Sequence, residues 1–371
     1  RGGNVFGGAV TLQAGGAAQV VADGTLRFGN IDVGSLSASG TTLYLPQNLV
    51  TQGAQSWSGA LLLEGDTSLS STFGGLSFYG TLNGPHALSL DAAAGTVHLG
   101  AVSTIAAETQ LAADITTEGN LDLGRSRVQG DVALTSTAGS VRINGPLNGT
   151  TDNGDTLAIT AADNVALQGE TGGVERLHDL SLSGNAISTA ALNIGNNLSI
   201  DSVTSLIQSA RYYVGGNADF TSLGNITLQN TANQFMGDVA LSGNTVQISG
   251  LGALTLSGVD ATTLQASAGA LLTLRDATMA QSTALTGEAV RLDSVALGQT
   301  STVTATGGNI SQTGAVGVDS ASTWTATGDI VLGDGTNQFG GAVSAAGSNI
   351  TLSADSALNL GSVTTTGAAR S

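Results

Sequence analysis

Residues 328–352 read GDIVLGDGTNQFGGAVSAAGSNITL, and this stretch decides the fold. Two apolar pairs, Ile330/Leu332 and Ile350/Leu352, each follow a turn of small and polar residues and lie 20 residues apart. Alternation of apolar and polar residues predicts a strand with one buried face, and a recurrence near 20 residues predicts stacked repeats. The stretch therefore predicts short strands that stack in a solenoid, where function belongs to a surface rather than to a central pocket.

The same unit recurs along the chain. In the last third of the chain the two pairs above are preceded by Val246/Ile248, Leu272/Leu274, Val290/Leu292 and Ile310/Gln312. From Val246 to Ile350, the first residues of successive pairs are 26, 18, 20, 20 and 20 residues apart. Earlier copies are Val97/Leu99, Leu121/Leu123, Val141/Ile143, Val165/Leu167 and Ile226/Leu228. We expect an all-β parallel β-helix of roughly eighteen coils of about 20 residues, with residues 1–371 as a single continuous shaft. Because the chain starts at Arg1, we expect it to be a fragment of a larger protein.

A longer period is superimposed on the coils. The pattern aromatic-x-Gly-x-aliphatic occurs at 6–10, 57–61, 235–239 and 339–343, and a degenerate copy ends at Val132. The steps between Val10, Val132, Val239 and Val343 are 122, 107 and 104 residues. A block of about five coils is therefore predicted to be duplicated, which lengthens a shaft rather than building one active site.

The turns carry a pattern of their own, in which Gly, Ser or Asp precedes Asn or Asp and then an aliphatic residue. Examples are Gly119-Asn120-Leu121, Gly308-Asn309-Ile310, Gly328-Asp329-Ile330 and Ser348-Asn349-Ile350. Both Gly and Asn tolerate positive φ, and amides stacked at the strand spacing can bond to each other. We expect a ladder of side-chain amides along the stack, with a structural role.

Composition excludes several functions. The net charge is −17, and all ten cations are Arg, so the chain lacks the clustered cations that nucleic acid needs. Cysteine is absent, which excludes disulfides and thiolate metal sites. The sequence also contains no run of eighteen apolar residues, the length needed to span a membrane. Aromatic residues are 4% of a chain that is 41% hydrophobic, so we expect a narrow aliphatic core and no cofactor.

The 20-residue rhythm is least regular at residues 44–80, where five aromatic residues fall close together. Exposed rings there could stack on sugars or contact a protein. We consider four of them possible contacts for a partner or glycan: Tyr44, Trp57, Phe78 and Tyr79. The alternative is that Trp57 and Phe73 fill a wider coil.

An alternative function is a carbohydrate-active β-helix enzyme, a polysaccharide lyase or hydrolase. Such enzymes need carboxylates and a cation on one outer face. The densest acidic stretch comprises Asp114, Asp131, Asp152, Asp155 and Asp163, with Arg125, Arg127 and Arg142 nearby. Because Asp is common in Gly- and Asn-rich turns, we favour a structural role for these residues, no catalytic site, and an outward, exposed position for His98.

Two further alternatives have single local matches. Gly333-Asp334-Gly335 resembles one step of a calcium-binding roll, but it stands alone and is better explained as a turn. Thr304-Ala305-Thr306 and Thr325-Ala326-Thr327 stack as in ice-binding solenoids, but only over two coils.

The motifs resemble the shaft repeats of the filamentous haemagglutinin-like exoproteins, adhesins secreted by the two-partner route. The segments NQFMGDV at 233–239 and NQFGGAV at 337–343 carry the resemblance, with the Gly-Asn-Ile/Leu turns and LNGPHALSL at 82–90. The resemblance implies a right-handed parallel β-helix that is displayed outside the bacterial cell and serves in attachment, cell-cell cohesion or a biofilm matrix. It also implies an outer-membrane secretion partner for the parent protein and a surface protein or glycan as receptor. Since neither terminus looks capped, we expect self-association by end stacking.

Overall fold

The computed structural model describes residues 4–92, 97–99 and 102–366, with the backbone alone for residues 102–108. The described residues form strands and turns and contain no helix, which confirms the all-β prediction. The chain divides into two compact units, residues 1–196 (unit 1) and 197–371 (unit 2), and each is a parallel β-solenoid. Together they contain about 17 turns, close to the predicted number. That the units form one continuous shaft stays a prediction.

Unit 1 contains nineteen strands among its described residues. They are β1 Val10–Val21, β2 Thr25–Tyr44, β3 Asn48–Thr51, β4 Gln55–Leu62, β5 Thr67–Ser71, β6 Leu76–Tyr79, β7 Leu82–Gly84, β8 Leu88–Ala92, β9 Val97–Leu99, β10 Val102–Leu111, β11 Ile115–Thr117, β12 Asn120–Val128, β13 Asp131–Ser136, β14 Val141–Ile143, β15 Leu147–Gly149, β16 Asp155–Ala161, β17 Val165–Leu167, β18 Leu177–Thr189 and β19 Leu192–Ile194.

Unit 2 contains eighteen strands among its described residues. They are β20 Leu198–Gln208, β21 Tyr212–Val214, β22 Ala218–Ser222, β23 Asn225–Leu228, β24 Gln234–Phe235, β25 Asp238–Gly250, β26 Leu254–Ala268, β27 Leu271–Gly287, β28 Ala289–Ala296, β29 Thr300–Ala305, β30 Ile310–Gln312, β31 Val316–Val318, β32 Ser322–Ala326, β33 Ile330–Leu332, β34 Gln338–Phe339, β35 Val343–Gly347, β36 Ile350–Leu352 and β37 Leu360–Thr365.

Within each unit, strands pair in parallel with strands of the next coil, which places like residues on like. In unit 2, Ile310 of β30 pairs with Val290 of β28 and with Ile330 of β33, and all three side chains are fully buried. Burial of each such side chain contributes about 2 kcal/mol through removal from water. The apolar pairs that predicted the strands thus form continuous aliphatic columns in the core.

The turn ladder exists, but its bonds differ from the prediction. In unit 2, the backbone N–H of Asp329 donates to Asn309 Oδ1 (2.8 Å), and that of Asn349 donates to Asp329 Oδ1 (3.1 Å). In unit 1, the N–H of Ser140 donates to Asn120 Oδ1 (2.8 Å). An amide–carboxylate bond also joins Asn349 Nδ2 to Asp329 Oδ1 (2.8 Å). The side-chain oxygens therefore mainly satisfy backbone donors of the next coil, because the backbone ladder is interrupted at these corners.

One corner of unit 2 repeats a left-handed backbone conformation in three consecutive coils. Gly258 has φ 72°, Asp276 has φ 49° and Ser294 has φ 57°. The residues just before them are aligned by the pairing of β26, β27 and β28. Left-handed geometry costs non-Gly residues about 1–2 kcal/mol, so the latter two positions carry strain that the glycine avoids.

Candidate functional site

The four candidate contact residues lie in unit 1, but they do not share one environment. Trp57 in β4 and Phe78 in β6 are fully buried, which corrects the expectation that these rings face a partner. Tyr44 at the end of β2 is half-buried, and Tyr79 at the end of β6 is exposed. The contact hypothesis stays a prediction, and it now rests on Tyr44 and Tyr79. By contrast Phe73, expected inside a wide coil, lies in a turn with 75% of its surface exposed.

The ring of Tyr44 is covered by a cation from a neighbouring coil. The guanidinium of Arg27 lies 3.6 Å from the ring centroid, and Arg27 also forms an ion pair with Glu64. The hydrogen bond from Arg27 to Glu64 is the main reason why the pKa of Arg27 is raised. Because one face of the ring already stacks on Arg27, only its remaining surface is available to a sugar or protein.

Tyr79 belongs to an outward row of polar side chains. Its ring centroid lies 5.8 Å from that of His98 in β9, and His98 Nε2 lies 3.9 Å from Glu118 Oε1. As predicted, His98 alternates with buried neighbours on its strand and faces outward. The row of Tyr79, His98 and Glu118 offers one aromatic face flanked by hydrogen-bonding groups, a surface suited to a sugar ring.

The residues of the acidic stretch lie in different environments. Asp131 and Asp163 are exposed, and Asp114 Oδ1 accepts a backbone bond from Ala133 (2.8 Å). The nearby Arg142 lies 3.7 Å from Asp122 Oδ1. The contacts of Asp114 and Arg142 join neighbouring coils, and a structural role for Asp131 and Asp163 stays a prediction.

Asp155, at the start of β16, is a buried carboxylate with a structural task. Its oxygens accept bonds from the backbone N–H groups of Gly130 (2.6 Å), Thr150 (2.7 Å) and Thr151 (2.9 Å), and from Thr150 Oγ1 (3.2 Å). Burial acts to raise the pKa of the carboxyl, but these donors together outweigh it, and the pKa lies below its ordinary value. The carboxylate thus fixes the turn between β15 and β16 and the coil before it.

Asp152 lies in the same turn and binds Arg176. Both carboxylate oxygens accept from the guanidinium at 2.9 Å, and Oδ1 also accepts the backbone N–H of Arg176 at 3.0 Å. The side-chain bonds, followed by the backbone bond, lower the pKa of Asp152 to about 2. This arginine is therefore engaged in a bidentate pair on the surface.

Two asparagines, Asn233 and Asn337, are fully buried, and this was not predicted from the sequence. They lie two residues before Phe235 and Phe339. Asn337 Oδ1 accepts from the N–H of Val316 (2.9 Å), and its Nδ2 donates to the carbonyls of Leu332 (3.2 Å) and Ser353 (3.1 Å). A reciprocal amide pair with Gln312 completes the set at 2.8 and 2.9 Å. We name this arrangement the asparagine clamp.

Asn233 forms the same clamp one block earlier. It accepts from the N–H of Tyr212 (2.8 Å) and donates to the carbonyls of Leu228 and Ser249 (both 3.2 Å), with Gln208 as its amide partner. The recurrence of Asn-x-Phe with 104-residue spacing was the available signal. It was interpreted as a marker of duplication, although it also marks a buried polar group.

The calcium-roll and ice-binding alternatives concern the turn at Asp334 and the Thr304/Thr325 pair. Asp334 Oδ1 accepts from the N–H (2.8 Å) and Oγ1 (2.6 Å) of Thr336, which forms a turn and lowers the pKa of Asp334. Thr304 pairs with Thr325 in register, as expected. Among residues 4–92, 97–99 and 102–366, no group of three or more His, Cys, Asp or Glu is placed to hold a metal ion. In that same part of the chain no helix has the length and apolar character to cross a membrane.

The fold and surfaces define a parallel β-solenoid repeat protein. Residues 177–242 and 280–346 match a family described as repeats of unknown function (DUF5649). The two matched segments begin 103 residues apart and end 104 apart, the same period as the asparagine clamps. No curated protein matches the chain. No solved structure matches it either.

Proposed function

We propose that this chain is a structural and adhesive β-solenoid of the bacterial surface or extracellular matrix, mediating attachment or cell-cell cohesion. The observation that carries the proposal is the use of the buried polar groups. Asp155 and both asparagine clamps bond to the backbone of their own coil and also to that of adjacent coils. The inter-coil partners are Gly130 for Asp155, Tyr212 and Ser249 for Asn233, and Val316 and Ser353 for Asn337. These groups hold coils together, which suits a protein whose task is to present a surface.

An exposed aromatic ring on the outer surface also supports an adhesive role. Tyr79 is 57% exposed and lies beside His98, so its ring is available to a sugar or protein receptor. Repetition of weak contacts over many coils adds through multivalency. The resemblance to two-partner-secreted adhesins agrees with this role and implies extracellular display and an outer-membrane secretion partner for the parent protein.

Self-association belongs to the same proposal. Strand β37 of unit 2 leaves Leu360 and Val363 55% and 43% exposed, and it pairs with β35 in the preceding coil. A parallel edge with exposed apolar residues can pair with another strand. We propose that a strand of a second copy pairs with this edge.

The experiment is a bead assay with the purified chain. Beads coated with the chain should attach to cells of the producing bacterium and to each other, and a Tyr79→Ser chain should attach to cells more weakly. Beads coated with albumin serve as the acidic control. Attachment no greater than this control would contradict the proposal. The proposal would also be contradicted if the chain cleaved any glycan of a test panel and the Asp131→Asn chain did not, because this result would identify a carbohydrate-active enzyme.

A further inference from the structure

An exposed aromatic side chain projects from a turn of unit 1. Phe73 follows strand β5, and its backbone N–H donates to the carbonyl of Gln52 in the preceding coil (2.9 Å). Gly74 lies so close to that coil that an added Cβ would be 2.3 Å from the N atom of Ala54. The turn is therefore held against the coil beneath it. The turn residues 72–75 carry no charge, and Phe73 is the exposed knob that they present.

An apolar groove of about 270 Å³ lies on the outer surface of unit 2. Its walls are formed chiefly by Phe235, Met236, Leu251 and Ala253, and none of its lining residues is charged. Met236 and Leu251 are 65% and 55% exposed. A flexible thioether beside an aromatic ring forms an adaptable surface for another apolar or aromatic group.

The duplicated block provides an internal comparison for this groove. At the positions 104 residues later, Met236 is replaced by Gly340 and Leu251 by Asp355. There Gln338 Nε2 donates to Asp355 Oδ2 at 3.2 Å. The asparagine clamp is formed in both blocks, so the coil does not need Met236 or Leu251 for its own packing. Their exposure in one block alone indicates a contact with something outside the coil.

We propose that this groove binds Phe73 of a second copy of the chain. The net charge of −17 makes copies repel one another, and a contact between two uncharged surfaces adds no local repulsion to this. The 72–75 turn and the groove are both uncharged, and the groove has room for one phenyl ring. Since knob and groove are different patches, the contact is heterologous and can extend from copy to copy. The inference deepens the proposed self-association by naming a side contact in addition to edge pairing.

The test uses the absence of cysteine from the chain. Two single-cysteine chains are prepared, Thr72→Cys beside the knob and Ala253→Cys in the groove wall. The matched control is Ala357→Cys, because Ala357 is exposed at the position equivalent to Ala253 in the block that carries Gly340 and Asp355. The chains are mixed in pairs at micromolar concentration, oxidised mildly, and the disulfide-linked heterodimer is quantified.

We expect the Thr72→Cys chain to crosslink with the Ala253→Cys chain about tenfold more than with the Ala357→Cys chain, since docking raises the effective thiol concentration. Adding Phe73→Ser to the first chain, or Leu251→Asp to the second, should remove this excess. The chain already carries Asp at position 355, so Leu251→Asp is a tolerated sequence for this coil. Equal yields with both partners, or an excess that survives Phe73→Ser, would overturn the side contact. Cell attachment and bead cohesion in the earlier assay would then still support the proposed function.

Discussion

At the scale of single residues, the solenoid depends on a few buried polar groups that bond between coils. A buried amide or carboxylate is costly unless its bonding capacity is used. Asn337 accepts from Val316 and donates to Ser353 in the adjacent coils, and Asp155 accepts from Gly130 in the coil before it and from its own turn. Each such residue fixes a local register that aliphatic packing alone leaves open.

We predict that Asn337→Ala opens one clamp and leaves the other intact. The variant leaves the N–H of Val316 and the carbonyls of Leu332 and Ser353 without their partner, at a cost of about 3 kcal/mol. Hydrogen exchange at the Val316 amide should become about 100-fold faster, because local opening reports this energy. The Tyr212 amide, held by the other clamp, should not change. Equal acceleration at both amides would show that the effect is global and not a property of the clamp.

We predict that acid weakens unit 1 through Asp155 and Asp152. The pKa of each carboxyl is lowered in the folded chain, to about 2 for Asp152. The carboxylates therefore stabilise the fold fully above the unfolded pKa near 4, and this stabilisation is lost as the pH falls through the folded values. The denaturant midpoint should fall between about pH 4 and pH 2, followed by the fluorescence of Trp57 in a Trp324→Phe chain.

The control for this acid effect is Asp155→Asn. At pH 7 it should cost about 2 kcal/mol, because the amide NH₂ faces backbone donors. Its midpoint should also depend less on pH below about 4, since one titrating group is gone. A pH dependence identical to that of the unmodified chain would show that Asp155 is not a source of the acid sensitivity.

At the scale of elements, strand parity was readable from the sequence, whereas turn geometry was not. Alternation identified the buried pairs. It also predicts burial of Phe78, because Phe78 lies two residues after the buried Leu76. Trp57 follows the same rule with Gln55, on the inner face of β4. Phe73 lies in a turn, where no alternation sets the direction of a side chain. Its exposure is therefore a result of the three-dimensional structure alone.

The candidate site was predictable to a similar extent. The sequence predicted an outward position for His98, named Tyr79 as a possible contact, and favoured turn positions for the acidic stretch. The stack of Arg27 on Tyr44 could not be predicted, because it joins side chains from neighbouring coils across an outer face. The apolar groove was also missed, since it depends on which turn residues of two coils lie side by side.

We predict that the left-handed corner of unit 2 can be improved by one substitution. Ser294→Gly relieves about 1–2 kcal/mol of backbone strain and costs about 0.5–1 kcal/mol of added unfolded-state entropy, so the net gain lies between about 0 and 1.5 kcal/mol. The readout is the denaturant midpoint, followed by Trp324 fluorescence in a Trp57→Phe chain.

The opposite change at the same corner is the matched control. Gly258→Ala meets no atom within 4 Å, so its effect is conformational, and we expect a loss of about 1 kcal/mol. Shifts of the same sign in the Ser294→Gly and Gly258→Ala chains would contradict the assignment of strain to this corner.

At the scale of the whole molecule, composition and repetition point to assembly. The chain carries charge −17, and large apolar side chains are exposed at scattered positions of the described residues, among them Phe73 and the groove residues Met236 and Leu251. In the proposed self-association, repulsion keeps random contacts rare and uncharged patches select where copies meet. The match of two segments to repeats of unknown function is consistent with a surface built by duplication.

The central claim is that this chain associates with itself through its surface. Sedimentation velocity between about 1 and 100 μM, at 0.15 M salt to screen the net charge, tests it most directly. We predict a weight-average sedimentation coefficient that rises with concentration, and a smaller rise for the Phe73→Ser chain. A single monomer coefficient that is constant over the whole range would contradict the claim.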